Sequence, residues 1–201
     1  MNDPSAAPRP PGDPRRRRLM DAALTVFLRF GFRKTSMDEV ARAADVSRQA
    51  LYLHFATKEE LFRASVEHLF DTSLEAAHAA LDDAARPLEG RLVGAFDAWL
   101  GRFVGAFGPN ASELAAAAND LVGPLLAERE ARFVEAVAKA LRASGLAAAY
   151  KPAGLTARQL AGTLYATARG LKYSATREAF VEGMAVAARA LCLPLRAGAE
   201  K

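Results

Sequence analysis

Cysteine is nearly absent from this chain: Cys192 stands alone among 201 residues. A single cysteine builds neither an intramolecular disulfide nor a multi-cysteine metal site, a usage that suits a reducing cytosol. No uncharged apolar run approaches the roughly 18 residues that a membrane span requires. Residues 1–14 hold five prolines and no apolar core, which excludes a secretory leader there and predicts a polar tail. There is no internal repeat, no glycine-rich phosphate loop and no spaced nucleophile–base set, so enzyme chemistry has no anchor and no cofactor site is legible. His68 and His78 lack the cysteine or acidic partners of a metal site. Alternation of apolar and polar residues is missing as well, and helical periods dominate. The expectation is an all-α, soluble, cytoplasmic protein with no membrane segment and a sizeable core.

Charge is present in moderation but unevenly placed. Residues 1–63 carry 12 Lys and Arg against 8 Asp and Glu, while the remainder carries 15 of each, so the whole formal excess of +4 lies in the first third. A positive excess confined to one region is the electrostatic footprint of a nucleic-acid face. Arg15 to Arg18 open the first predicted helix, where four cations oppose the helix dipole at about 0.3–1 kcal/mol each. A phosphate partner would relieve that cost.

The chemistry-bearing stretch is Thr35 to Lys58. Ser36 and Glu39 have capping-box spacing, and Met37, Val40, Ala41 and Ala44 mark one face of a short helix. Asp45 suits the left-handed turn that follows, and Val46 plugs it. Ser47 then caps a second helix over Arg48 to Phe55, and Thr57 and Glu60 repeat the box for a third. Two short helices about a tight turn make the helix-turn-helix plan, over about residues 36–55. On the second helix Ala50, Leu51 and Phe55 fall inward by period. Ser47, Arg48, Gln49, Tyr52 and His54 remain for the outward face and its edges. Arginine pairs with guanine and glutamine with adenine, so Arg48 and Gln49 are expected to set sequence preference. Thr35, Ser36 and Lys58 stand at helix starts, where amides, hydroxyls and an ammonium can grip phosphate.

The blocks around this stretch come in a recognisable order: LMDAALTVFLRFGF from Leu19, TSMDEVA from Thr35, Val46-Ser47, LYLHF from Leu51 and KEELF from Lys58. Together they resemble the TetR family of bacterial repressors over Arg15 to about Phe62, with Asp45 where that family commonly has glycine. The resemblance implies backbone or thymine-methyl contacts for Tyr52 and a phosphate contact for His54. It also implies a connecting helix after Lys58 that carries movement between domains, and a homodimer built by the last two helices as a four-helix bundle.

Beyond residue 63 the periodicities outline a larger helical domain over 64–195, followed by a tail at 196–201. After a polar break near Asp82 to Pro87, Leu88, Leu92, Phe96, Trp99, Phe103 and Phe107 place six large apolar residues on one face of a long helix. With glycines between them, some of these rings suit a ligand pocket, to which Asn119 and Tyr165 are further candidates. A helix from Ser112 to about Arg142 should be interrupted at Gly123-Pro124. Gly145 to Gly154 reads as a loop. Thr156 caps a helix to about Ala175, and the last helix runs from about Arg177 to Cys192 before Pro194.

The expectation is a homodimeric repressor of a palindromic double-stranded DNA operator, released by a small apolar or aromatic effector. A module of the same fold that binds a partner instead of DNA is the rival, and the intact helix-turn-helix residues argue against it.

Overall fold

The computed structural model describes residues 13–105 and 110–199; Phe107 and the predicted tail before Asp13 lie outside them. No strand occurs among the described residues, and the fold is all-α. The chain forms two compact units, one of residues 1–68 with 109–121, the other of residues 69–108 with 122–201. The first unit therefore extends past residue 63 and takes in a later stretch of chain.

In the first unit α1 spans Pro14–Phe30, α2 Met37–Ala43 and α3 Arg48–Tyr52, and α4 (Lys58–Asp82) begins there. Pro14 does not belong to an irregular tail. It sits at the first helical position, where its missing N–H costs nothing, and the Asp13 carboxylate accepts from the Arg15 amide at 2.9 Å. Leu19, Ala23, Val26 and Phe27 of α1 are buried with Val40 and Ala41 of α2, Leu51, Phe55 and Phe62. Phe62 meets Phe27 edge-on at 5.0 Å between centroids. α1 stops at Gly31, whose φ of 84° favours glycine and whose amide donates to the Phe27 carbonyl at 2.8 Å. Asn110 donates to the Arg29 carbonyl at 3.0 Å, and Glu113 accepts from the Arg33 amide at 2.7 Å.

The second unit contains the rest of α4, α5 (Leu88–Trp99), most of α6 (Ala111–Ala143), α7 (Leu146–Ala149), α8 (Ala157–Leu171) and α9 (Arg177–Ala199). Four elements differ from the sequence expectation. α5 ends at Trp99 and gives way to a 3₁₀ turn over Gly101–Phe103. Gly101 opens that turn where a Cβ would lie 2.9 Å from the Phe180 ring and closer still to Asp97, so the position takes only glycine without a shift of its neighbours. The predicted loop after Gly145 contains α7 and a 3₁₀ turn, with Leu146 fully buried. α8 ends at Leu171. α9 continues through Pro194 to Ala199, giving up one ladder hydrogen bond at the proline within its last two turns. The break in α6 falls where expected: Val122, with φ −139° and ψ 15°, leaves helical geometry ahead of Pro124.

The core of this unit is aromatic at its centre. Trp99 stacks on Phe133 at 5.1 Å and 11°, Phe96 meets the same ring edge-on at 5.0 Å, and Phe70 closes on Trp99 at 5.6 Å. Leu160 and Leu164 of α8 and Phe180 and Met184 of α9 are buried in this core. These apolar residues are thus used within this unit. Arg177 binds Asp97 through two parallel hydrogen bonds of 2.8 and 2.6 Å, joining α9 to α5.

Candidate nucleic-acid interface

The turn between α2 and α3 rests on Asp45, whose φ of 52° makes it the sole positive-φ non-glycine among the described residues. Aspartate tolerates this region better than most side chains. The Val46 amide donates to the Ala41 carbonyl at 3.0 Å, and the Ser47 hydroxyl accepts from the Ala50 amide at 3.1 Å. α3 then has one committed side: Leu51 and Phe55, just past its end, are fully buried. Ser47, Arg48, Gln49 and Tyr52 are exposed together on the other, as the period predicts. Leu53, 70% exposed, adjoins that face and was not singled out from sequence. α3 itself is shorter than the stretch to Phe55, ending in a turn at Leu53-His54.

Arg48 is held from two sides. Its Nη1 lies 3.1 Å from Oδ2 of Asp38 on α2, and its guanidinium carbon lies 5.5 Å from the centre of the Tyr52 ring. Both neighbours favour the charged form, the Tyr52 phenol oxygen more than the Asp38 carboxylate. Nothing local in the sequence marks Asp38, which is separated from Arg48 by the whole inter-helix turn.

The expected phosphate-gripping residues are more engaged inside the protein than their spacing suggests. Thr35 is 2% exposed and donates its hydroxyl to the Gly31 carbonyl at 2.7 Å. Its place is to hold the approach to α2. The Ser36 amide and hydroxyl both donate to the Glu39 carboxylate, at 2.7 and 2.9 Å, which completes the capping box. That amide bond, then the hydroxyl, holds Glu39 below the usual carboxylate range. Lys58 is half-buried, donating to the Phe32 and Arg33 carbonyls at 3.0 and 3.4 Å over the Phe32 ring. An ammonium has three donors, so one remains beyond these two bonds. His54 has a side chain 13% exposed, with Nδ1 3.9 Å from Asp13. Its imidazole faces the start of α1. Glu60 departs slightly from a capping box: Thr57 accepts from the Glu60 amide at 3.0 Å, and Glu60 reaches the Ala56 amide at 2.8 Å.

The arginine run divides. Arg15, Arg17 and Arg18 are exposed, whereas Arg16 donates to the His54 carbonyl at 2.8 Å and lies 4.1 Å above the Phe55 ring. Arg16 ties the end of the α3 segment to α1. Sequence reasoning treated the four alike, because the contact spans 38 positions.

The predicted pocket residues separate. Phe96 and Trp99 are closed into the second unit's core, Tyr165 is half-buried against it, and Phe103 is half-buried with its ring 5.9 Å from that of Phe70. Burial, and then the Glu130 carboxylate, push the Tyr165 phenol up to about 12. Asn119 is exposed and belongs to the first unit. No group of three metal-ligating side chains occurs among the described residues, and none of their helices is long and apolar enough to cross a membrane.

Residues 19–65 match the model of the tetR family of bacterial regulatory proteins. Over 54 residues the chain is 33% identical to the biofilm operon icaADBC HTH-type negative transcriptional regulator IcaR of Staphylococcus epidermidis, covering 27% of this chain and 29% of that protein. Over 71 residues it is 40% identical to the HTH-type transcriptional activator FasR of Mycolicibacterium smegmatis, covering 35% and 32%. The chain thus spans about a third of the length of the curated relatives it matches. The crystal structure of a TetR-like transcriptional regulator from Rhodococcus sp. RHA1 superposes with a TM-score of 0.60 at 28% identity, over 96% of this chain and 100% of that one.

Proposed function

Since this chain belongs to the TetR family of bacterial regulatory proteins, whose members are regulators and not enzymes, we propose that it binds a palindromic operator as a homodimer and represses transcription until a small effector releases it. One observation carries the DNA-binding part: Ser47, Arg48, Gln49 and Tyr52 stand exposed on one face of a short helix whose opposite face is locked into a core. Side chains near the start of such a helix reach base edges in the major groove. Arg48 and Gln49 would read bases, and Tyr52 would pack on a thymine methyl or the backbone. Lys58, Ser36 and the exposed arginines of α1 would meet phosphates, while Thr35 and His54 would hold the surfaces those groups stand on.

Two further observations support the remaining parts. Val186 and Leu193, two turns apart on α9, are 66% and 56% exposed, which suits a helix awaiting a second copy. The ring cluster around Trp99, with Tyr165 at its edge and Phe103 joined to it through Phe70, suits an apolar or aromatic effector. Two operator half-sites lie about 34–36 Å apart, so an effector that favours a different separation of the α3 helices releases DNA. Its leverage equals its differential affinity for the two states.

The test is selection of bound fragments from genomic DNA by the full chain, with Tyr52→Ala as control. Enrichment of a two-fold symmetric site that the variant loses is the expected result. A folded protein that enriches nothing at low salt refutes the DNA-binding reading.

A further inference from the structure

We propose that Asp38 is a specificity-determining positioning residue: from α2 it holds the Arg48 guanidinium in the orientation in which it reads a guanine. This rests on the DNA-binding reading above and adds a residue that does not itself touch a base.

An arginine on a five-residue helix, 64% exposed, has several rotatable bonds and no reason to prefer a base over the nearest phosphate. Here the side chain is constrained by two different elements. The Asp38 carboxylate takes Nη1 at 3.1 Å, and the Tyr52 ring lies beside the guanidinium carbon. A guanidinium has five N–H donors in a rigid fork. The bond to Asp38 uses one, and the remaining donors can still pair with guanine O6 and N7.

An ion pair this exposed adds little to folding. Asp38 also sits in the first turn of α2, where Glu39 already supplies a favourable negative charge. At a face meant for a polyanion, a second carboxylate repels phosphate and weakens all binding. Asp38 therefore acts on affinity and on selectivity in opposite directions. A merely structural residue would not.

The experiment selects binding sites for the full chain from a randomised duplex library and repeats the selection with Asp38→Asn and Asp38→Glu. It also measures affinity for a random-sequence duplex across salt concentrations. D38N removes the charge and keeps the shape. It should bind the random duplex several-fold more tightly, and discrimination at one guanine per half-site should fall about tenfold. D38E keeps the charge and displaces it, so discrimination falls with no gain on the random duplex. In an Arg48→Ala background, D38N should change discrimination no further. Circular dichroism of each variant checks folding. The proposal is overturned if the wild-type protein selects a site that D38N reads with unchanged discrimination, or if D38N lowers discrimination equally without Arg48. A wild-type protein that selects no site overturns it together with the DNA-binding reading.

Discussion

Replacing Arg16 with alanine separates the two roles open to the arginine run. The side chain makes a charge-assisted hydrogen bond of 2.8 Å to the His54 carbonyl and stacks 4.1 Å above the Phe55 ring. Such a hydrogen bond is worth about 1.5–3 kcal/mol. A partly exposed cation–π contact adds ~0.5–1 kcal/mol. Removing one cation from the start of α1 returns about 0.3–1 kcal/mol. The net expectation is a loss of about 1–3.7 kcal/mol, felt first at the end of α3. Hydrogen exchange reads it directly: the His54 and Phe55 amides donate to the Leu51 carbonyl at 3.0 Å. Their exchange should accelerate roughly 5- to 450-fold, since 1.4 kcal/mol is a factor of ten. Arg15→Ala should leave these amides alone and reduce the salt dependence of DNA binding by about one phosphate contact. If Arg16→Ala does what Arg15→Ala is expected to do, with the two amides unchanged, Arg16 is a phosphate contact and the anchor argument is wrong.

Gly101→Ala should destabilise the second unit by about 1–3 kcal/mol, as overpacking does, because the new methyl meets the Phe180 ring and the Asp97 carboxylate that binds Arg177; unchanged thermal stability would contradict this packing. Asp45→Gly should be stability-neutral or slightly favourable. Asp45→Val should cost about 1–3 kcal/mol, since a β-branched residue fits poorly at φ 52°; chemical denaturation compares the pair. Tyr165 is raised in the folded chain to about 12 from 10.0, chiefly by burial. The unfolded chain therefore gives up the proton first, and folding loses stability as pH climbs from 10 towards 12. Tyr165→Phe should flatten that limb of the stability curve, and a limb of the same slope in the variant would assign the alkaline loss to other groups.

What the sequence disclosed was mostly short-range. Ser36 and Glu39 declare a helix start because a capping box spans three residues, and the two-sided character of α3 is written in the spacing of Leu51 and Phe55 against Arg48, Gln49 and Tyr52. Asp45 was legible because few side chains accept a left-handed turn. The unread features depend on partners distant in the chain. Arg33 and Glu113 are 80 positions apart, and Arg16 finds a carbonyl 38 positions away. The aromatic period that carries past Trp99 to Phe103 says helix, but Phe180 decides what fits at Gly101. At Pro194 the local signal was simply too strong: a proline read as a stop is accommodated near the end of α9. Asp13-Pro14, by contrast, is a cap-and-first-turn signature carried by the dipeptide itself.

The stacking of Trp99 on Phe133 has a spectroscopic consequence. Trp99 is the chain's one tryptophan, it is 2% exposed, and it lies wholly within the second unit. Indole emission should therefore be blue in the native protein and shift red when that unit opens, while melting of α1 to α3 goes unseen by it. Helical ellipticity, in contrast, samples both units. Heating or denaturant curves recorded by the two signals will coincide if the units unfold together. If they separate, the emission curve belongs to the larger unit, and the chain carries its own reporter for telling the two transitions apart.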